Sequence, residues 1–176
     1  MNDEAPTKVI RLDPPPLDNE LPRPRIRHGT GIYHCDESTL MTRDVDVFFY
    51  GLFMDADALR ARGMHPTNIR AARVSDFALR IGKRATLVPG VGTEAHGFVM
   101  ALCPAEIEAL YSDSSVRAYH PEAVLAELAD GQKCPALCFN LETPPDPQER
   151  NAEYADKLRE LARRLKLPTR YVESIR

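Results

Sequence analysis

No stretch of the 176 residues approaches the ~20 apolar positions that a membrane-spanning helix requires. Positive charge is not in excess: the formal net charge is -3 and no basic stripe stands out, so the electrostatic footprint of a nucleic-acid binder is missing. The opening residues, MNDEAPTKVIRL, are acidic and Pro-bearing and lack an apolar h-region, which excludes a secretory signal and leads us to expect a cytoplasmic protein. Cysteine is scarce, and the four present (35, 103, 134 and 138) fit no zinc spacing. Cys134 and Cys138 are separated by three residues, and Cys138, if it lies in a strand, reads as a small buried hydrophobe. There is no GxSxG elbow, no Walker loop, no HExxH and no GxGxxG. The Gly-rich PGVGTEAHG has no helix close behind it to complete a phosphate cradle, so it reads as a strand-to-strand turn. The five histidines are scattered. Among them His96, beside Gly97 on a predicted central strand, is the candidate to face a cavity.

What is present is an ordinary globular composition, 43% hydrophobic and 28% charged, long enough for one domain with a core. Residues 1–40 differ from the rest. They hold six of the fifteen prolines, including Pro14-Pro15-Pro16, and show little apolar periodicity. Such a segment cannot bury enough surface to offset chain entropy, and an extended or disordered tail is predicted. The domain is placed at 41–176.

Within it, VDVFFY (45–50) is a β-branched and aromatic run, read as a strand that stops abruptly at Tyr50-Gly51. DADALRARG reads as a short helix, with Asp55 or Asp57 as its cap and Gly63 as its stop. RVSDFALRI, KRATLVPGVG and AHGFVMAL read as three further strands, the last apolar on both faces and hence central. CPAEIEALYSD has Pro104 at a first helical position. EAVLAEL and PALCFNL read as strands joined at Asp130-Gly131. In the last helix Tyr154, Leu158, Leu161 and Leu165 form one stripe, which ends at Pro168. The expectation is α+β: a small, mostly antiparallel β-barrel of about six strands with three flanking helices.

Three segments in order resemble the gamma-glutamylcyclotransferase-like family. Tyr50-Gly51-Leu52-Phe53-Met54 is similar to the family's Y-G-S/T-N/L-L motif at the end of its first strand. ALRIGKRATLVPGVGTEAHGFVMAL resembles its strand, P-G turn and Gly-bearing strand, with Gly97 at the glycine. IEALYSDSSVRAYHPEAV resembles its helix end followed by a Tyr that opens a strand. The similarity covers residues 45–142.

This resemblance implies a barrel with flanking helices. It also implies a lyase-type cyclisation in which the α-amine of a γ-glutamyl compound attacks its own γ-carbonyl, releasing 5-oxoproline without metal or cofactor. Proximity and one proton-shuttling carboxylate would supply the rate. Backbone amides of Gly51, Leu52 and Phe53 would bind an anionic group of the ligand, with Tyr50 and Tyr119 as further substrate contacts. Leu52 replaces the family's hydroxyl residue, and Phe139 stands where a Tyr is common. The family's acid/base Glu, in an L-D-x-x-E-G helix end, has no Glu here. Counting forward from Leu110 the position falls on Ser114, and counting back from Tyr119 it falls on Asp113. Asp113 is taken as acid/base, although it is also a natural turn or helix-end residue. Two other readings stand beside this one: a non-catalytic relative that binds an amino-acid-like ligand, and a partner-docking module served by the Pro-rich tail. Assembly as a homodimer is left open.

Overall fold

The computed structural model describes residues 43–176. The predicted Pro-rich tail, and with it His28, His34 and Cys35, lies outside the described residues. The chain order is β1 (Val45–Phe49), a 3-10 turn (Leu52–Met54), α1 (Ala56–Arg60), β2 (Thr67–Ile81), β3 (Ala85–Leu102), α2 (Pro104–Ser112), β4 (Tyr119–Leu128), β5 (Lys133–Leu141), α3 (Ala152–Arg164) and α4 (Thr169–Ser174). The strands close into a barrel in the order β1-β3-β2-β4-β5. All neighbours are antiparallel except β5 and β1, whose parallel pairing (Val47 with Leu137, Phe48 with Cys138) seals it. Closure removes the exposed strand edges that an open sheet would present. No helix among the described residues is long and apolar enough to cross a membrane.

The barrel has five strands where about six were expected, because KRATLVPGVG and AHGFVMAL are one strand. PGVG does not turn the chain between strands. It is an irregularity inside β3, where Gly90–Thr93 bulge opposite the single residue Asp76 between the pairs Ser75–Glu94 and Phe77–Pro89. Asp76 adopts φ 62° and Gly92 φ 73°, and the Gly92 amide donates to the Asp76 carboxylate at 2.8 Å. Bulges bend the strand that carries them. Beyond this one, the distal part of the β2–β3 hairpin meets β5: the Asn140 side chain accepts from the Leu87 amide at 3.1 Å, and the Thr86 hydroxyl accepts from the Leu141 amide at 3.0 Å.

Elsewhere local chemistry decides the elements as predicted. Asp55 caps α1 by accepting from the Asp57 amide, and Gly63 follows it at φ 80°. Asp130-Gly131 turns β4 into β5, with Gly131 at φ 82°. The last predicted helix is α3, which buries Ala155, Leu158, Leu161 and Ala162; its cap, Asn151, was not singled out in the sequence. The additional helix α4, absent from the sequence expectation, buries Tyr171 and Val172. Val47 and Phe48 of β1 and Val99, Met100 and Leu102 of β3 are each 1% exposed or less, so both faces of this strand pair are buried. Cys138 is a buried free thiol in β5, as expected of a small hydrophobe, and Cys134 is a second one.

Candidate functional site

The apolar run of β1 ends where the barrel opens into a cavity of about 360 Å3. Five elements converge there: the end of β1 and the following loop (Phe48–Phe53), the β2–β3 turn (Lys83–Ala85), the end of α2 and its exit (Tyr111, Ser115, Val116), the start of β4 (Tyr119), and Phe139 of β5. Arg62, after α1, and Tyr154, on α3, complete the lining. The bent hairpin explains how residues 83–85, distant in register from β1, reach the same cavity.

The walls are largely aromatic. Tyr111 stacks on Phe139 with ring centroids 3.7 Å apart and planes 10° apart, and Tyr119 leans on Tyr111 at 6.4 Å. Two predicted contacts use their hydroxyls to hold the frame. The Tyr50 hydroxyl donates to the Phe139 carbonyl at 2.8 Å, and the Tyr119 hydroxyl donates to the Ala85 carbonyl at 2.5 Å, tying the hairpin turn to β4. Burial raises both phenols above their ordinary range, so they serve as neutral hydrogen-bonding groups.

Gly51 sits at φ −103°, ψ −155°, a backbone conformation open to any residue. The neighbour of note is the Tyr154 hydroxyl: a Cβ at this position would stand 3.0 Å from it, a tight contact that a shift of a few tenths of an ångström in the tyrosine relieves. Burial raises the Tyr154 phenol, offset in part by the Leu52 backbone amide beside it. Leu52, Gly51 and Tyr154 thus share one polar surface on the cavity wall. Tyr154 was legible in the sequence only as a member of an apolar helical stripe. Its role at the cavity depends on where α3 docks.

Three cations line the cavity, and no acidic side chain does among the described residues. Arg62 lies over the Phe53 ring at 5.0 Å. Lys83 and Arg84 stand on the β2–β3 turn, which Glu149 secures by accepting from the Lys83 amide at 2.6 Å. Gly82 packs against Glu149 so closely that a Cβ would fall 2.4 Å from its carboxylate oxygen. None of the ion pairs among the described residues involves Arg62, Lys83 or Arg84. Sequence reasoning passed over all three, because isolated basic residues in a loop carry no pattern.

Asp113 ends α2 and is exposed, outside the cavity lining. Its carboxylate accepts from the Ser115 amide at 2.7 Å and the Ser115 hydroxyl at 2.5 Å. These bonds, side-chain one first, hold it below the usual carboxylate range. Ser115 itself is exposed and lines the cavity, which makes it the link between Asp113 and the site. His96 is elsewhere: it lines a second recess with Arg73 and Glu127, its ring 4.9 Å from that of Tyr171.

No protein-family model matches the sequence, and no curated protein matches it. Solved structures do resemble it. An uncharacterized protein from Homo sapiens aligns over 75% of this chain and 86% of its own, with TM-score 0.59 and 21% identity. A gamma-glutamyl cyclotransferase aligns over 76% and 86%, with TM-score 0.60 and 20% identity. YkqA from Bacillus subtilis aligns over 74% of this chain at TM-score 0.60 and 20% identity, but only 52% of YkqA is spanned, about half its length. At these identities the likeness speaks to architecture: the fold of this chain is the gamma-glutamyl cyclotransferase fold.

Proposed function

We propose that the cavity at the end of β1 binds a γ-glutamyl compound and that the protein converts it, by a cyclotransferase-type reaction, to 5-oxoproline and a free amine. The observation that carries this is the pairing of a cationic, aromatic-walled cavity with the Gly51–Phe53 loop, within a barrel of that fold. The apolar walls suit the methylene chain of the glutamyl group. The loop amides and the basic side chains suit its carboxylate.

Folding the ligand back on itself places the α-amine against the γ-carbonyl, which is the proximity contribution to the rate. The nitrogen lone pair forms the new C–N bond of the five-membered lactam, and the bond from the carbonyl carbon to the leaving nitrogen breaks. One proton must leave the attacking nitrogen and one must reach the departing nitrogen. In this reading the Ser115 hydroxyl accepts the first while passing its own to Asp113, and the reverse movement returns a proton to the leaving amine. The bonds from Ser115 hold the Asp113 carboxyl below its usual range, which keeps it ionised and ready to accept that proton.

A second reading, a non-catalytic binder of the same ligand, is favoured by the exposure of Asp113 and the absence of an acidic side chain from the described lining. Release of 5-oxoproline from a panel of γ-glutamyl compounds separates the two. Turnover that falls roughly 10²–10⁴-fold in Asp113→Asn and in Ser115→Ala, with binding retained, supports the relay. Binding without 5-oxoproline leaves the second reading, and neither binding nor turnover removes both.

A further inference from the structure

We propose that Asn140 of β5 is a positioning residue for the cavity: it fixes the end of the β2–β3 hairpin, and with it Lys83 and Arg84, against the cavity wall. The inference rests on the reading that this cavity is the ligand site, and it names what holds one side of that site in place.

The strand pairings leave this task to side chains. β2 pairs with one edge of β3 from Ala85 to Pro89, whereas β1 covers the other edge only from Phe98 to Leu102. Among the described residues no strand ladder joins that second edge of Ala85–Pro89 to β5, so its backbone groups need other partners. Three side chains supply them. The Asn140 carboxamide oxygen accepts from the Leu87 amide at 3.1 Å, the Thr86 hydroxyl accepts from the Leu141 amide at 3.0 Å, and the Tyr119 hydroxyl donates to the Ala85 carbonyl. Buried polar side chains are few among the described residues, and two of the three, Asn140 and Thr86, stand at this seam.

Asn140 is the more widely anchored of the two. Its amide nitrogen donates to the Glu122 carboxylate of β4 at 2.7 Å, and the buried Cys138 thiol lies 3.7 Å from its oxygen as a weak second donor. These partners settle the orientation of the carboxamide, because the Leu87 amide requires its oxygen and the carboxylate requires its nitrogen. One side chain thereby joins β4, β5 and β3, close in sequence to Arg84 and Ala85 of the cavity lining. Glu149 holds the tip of the hairpin through the Lys83 amide, but that bond is exposed. The Leu87 bond is buried, and a buried donor left without its acceptor costs the desolvation of the amide. The β1–β3 and β4–β5 ladders do not pass through Leu87, so losing its acceptor loosens the hairpin end first.

The test compares Asn140→Leu, Asn140→Asp, and Asn140→Asp combined with Glu122→Gln, by amide hydrogen exchange and by calorimetric binding of γ-glutamyl-alanine and γ-glutamyl-ethylamine. Asn140→Leu keeps the volume and removes every hydrogen bond of the side chain. Asn140→Asp keeps an acceptor for Leu87 but sets two carboxylates face to face. The double variant restores that pair with donor and acceptor exchanged. Exchange over residues 83–89 should quicken roughly 10–100-fold in both single variants, with α3 within about twofold of wild type, and should return to near the wild-type rate in the double variant. Ligand affinity should fall in the single variants and recover in the double one. Exchange that quickens equally over 83–89 and α3, or not at all over 83–89, overturns the positioning role, because a residue serving stability alone lowers all protection together. Local quickening with unchanged affinity overturns the role at the site and leaves the cavity reading standing. Failure of both compounds to bind the wild type at millimolar concentration overturns that reading, and the role at a ligand site with it.

Discussion

Gly97 gives the most exposed test of the packing that shapes the site. It lies on β3 beside β1, where Phe49 pairs with Phe98, and a Cβ built on it would stand 2.0 Å from the Phe49 carbonyl oxygen and 3.2 Å from the Phe48 ring. An ordinary carbon–oxygen contact is well over 3 Å, so Gly97→Ala forces about 1 Å of separation between two backbones in the barrel wall. The obstacle is a main-chain atom with no rotamer to retreat into. Without a clash, replacing a strand glycine by alanine should stabilise by roughly 0.5–1 kcal/mol, through the unfolded chain's lost freedom. Overpacking a closed core costs about 1–3 kcal/mol, and the bond-angle distortion needed to spread the strands adds more, about 1 kcal/mol for each ~7°. The expected outcome is a net loss of roughly 2–4 kcal/mol, a large part of the ~5–15 kcal/mol that holds a domain together. Because the chain has six tyrosines and no tryptophan, urea unfolding is best followed by circular dichroism and tyrosine fluorescence. A midpoint that stays put or rises would refute the argument that glycine is required here by proximity. The Phe49 carbonyl leads directly into Tyr50-Gly51, so ligand affinity should fall with stability.

Other consequences are smaller. Tyr50→Phe removes the donor to the buried Phe139 carbonyl and should cost about 1–2 kcal/mol in denaturant unfolding, with the fold retained. Asp76→Ala should lose about 1–2 kcal/mol, since alanine in the left-handed region is strained and the Gly92 amide loses its acceptor; Asp76→Gly should recover the strain but not the hydrogen bond. His96 is held below its ordinary value near 6.5, first by burial, so the unfolded chain takes up its proton before the folded one does. Its contribution is therefore complete above about pH 6.5 and declines as pH falls toward the lower folded value, and a His96→Gln variant should show a flatter thermal-stability profile over that window.

The barrel was legible because its strands carry their own period: alternating or doubly apolar runs of Val, Phe and Leu, punctuated by Asp130-Gly131 and by capping Asp55, leave few alternatives. PGVG misled because a glycine-rich bulge and a glycine-rich turn are written with the same residues. Only the pairing of Ser75 with Glu94 and Phe77 with Pro89 separates them. Gly51 and Gly97 could be picked out in the sequence. What stands against them, a tyrosine hydroxyl from α3 at Gly51 and a backbone carbonyl from β1 at Gly97, lies at sequence separations no local pattern records.

The same division holds for the site. Sequence alone determined the strand that ends at Tyr50-Gly51, the family of barrels it resembles, and the absence of a Glu at the helix end near Asp113, because each is a property of consecutive residues. Tertiary structure decided that Asp113 lies outside the cavity lining, that Tyr154 meets Gly51, and that Arg62, Lys83 and Arg84 share a cavity. Charge and proximity act through space, and the bend at Gly90–Thr93 and the docking of α3 bring those groups together.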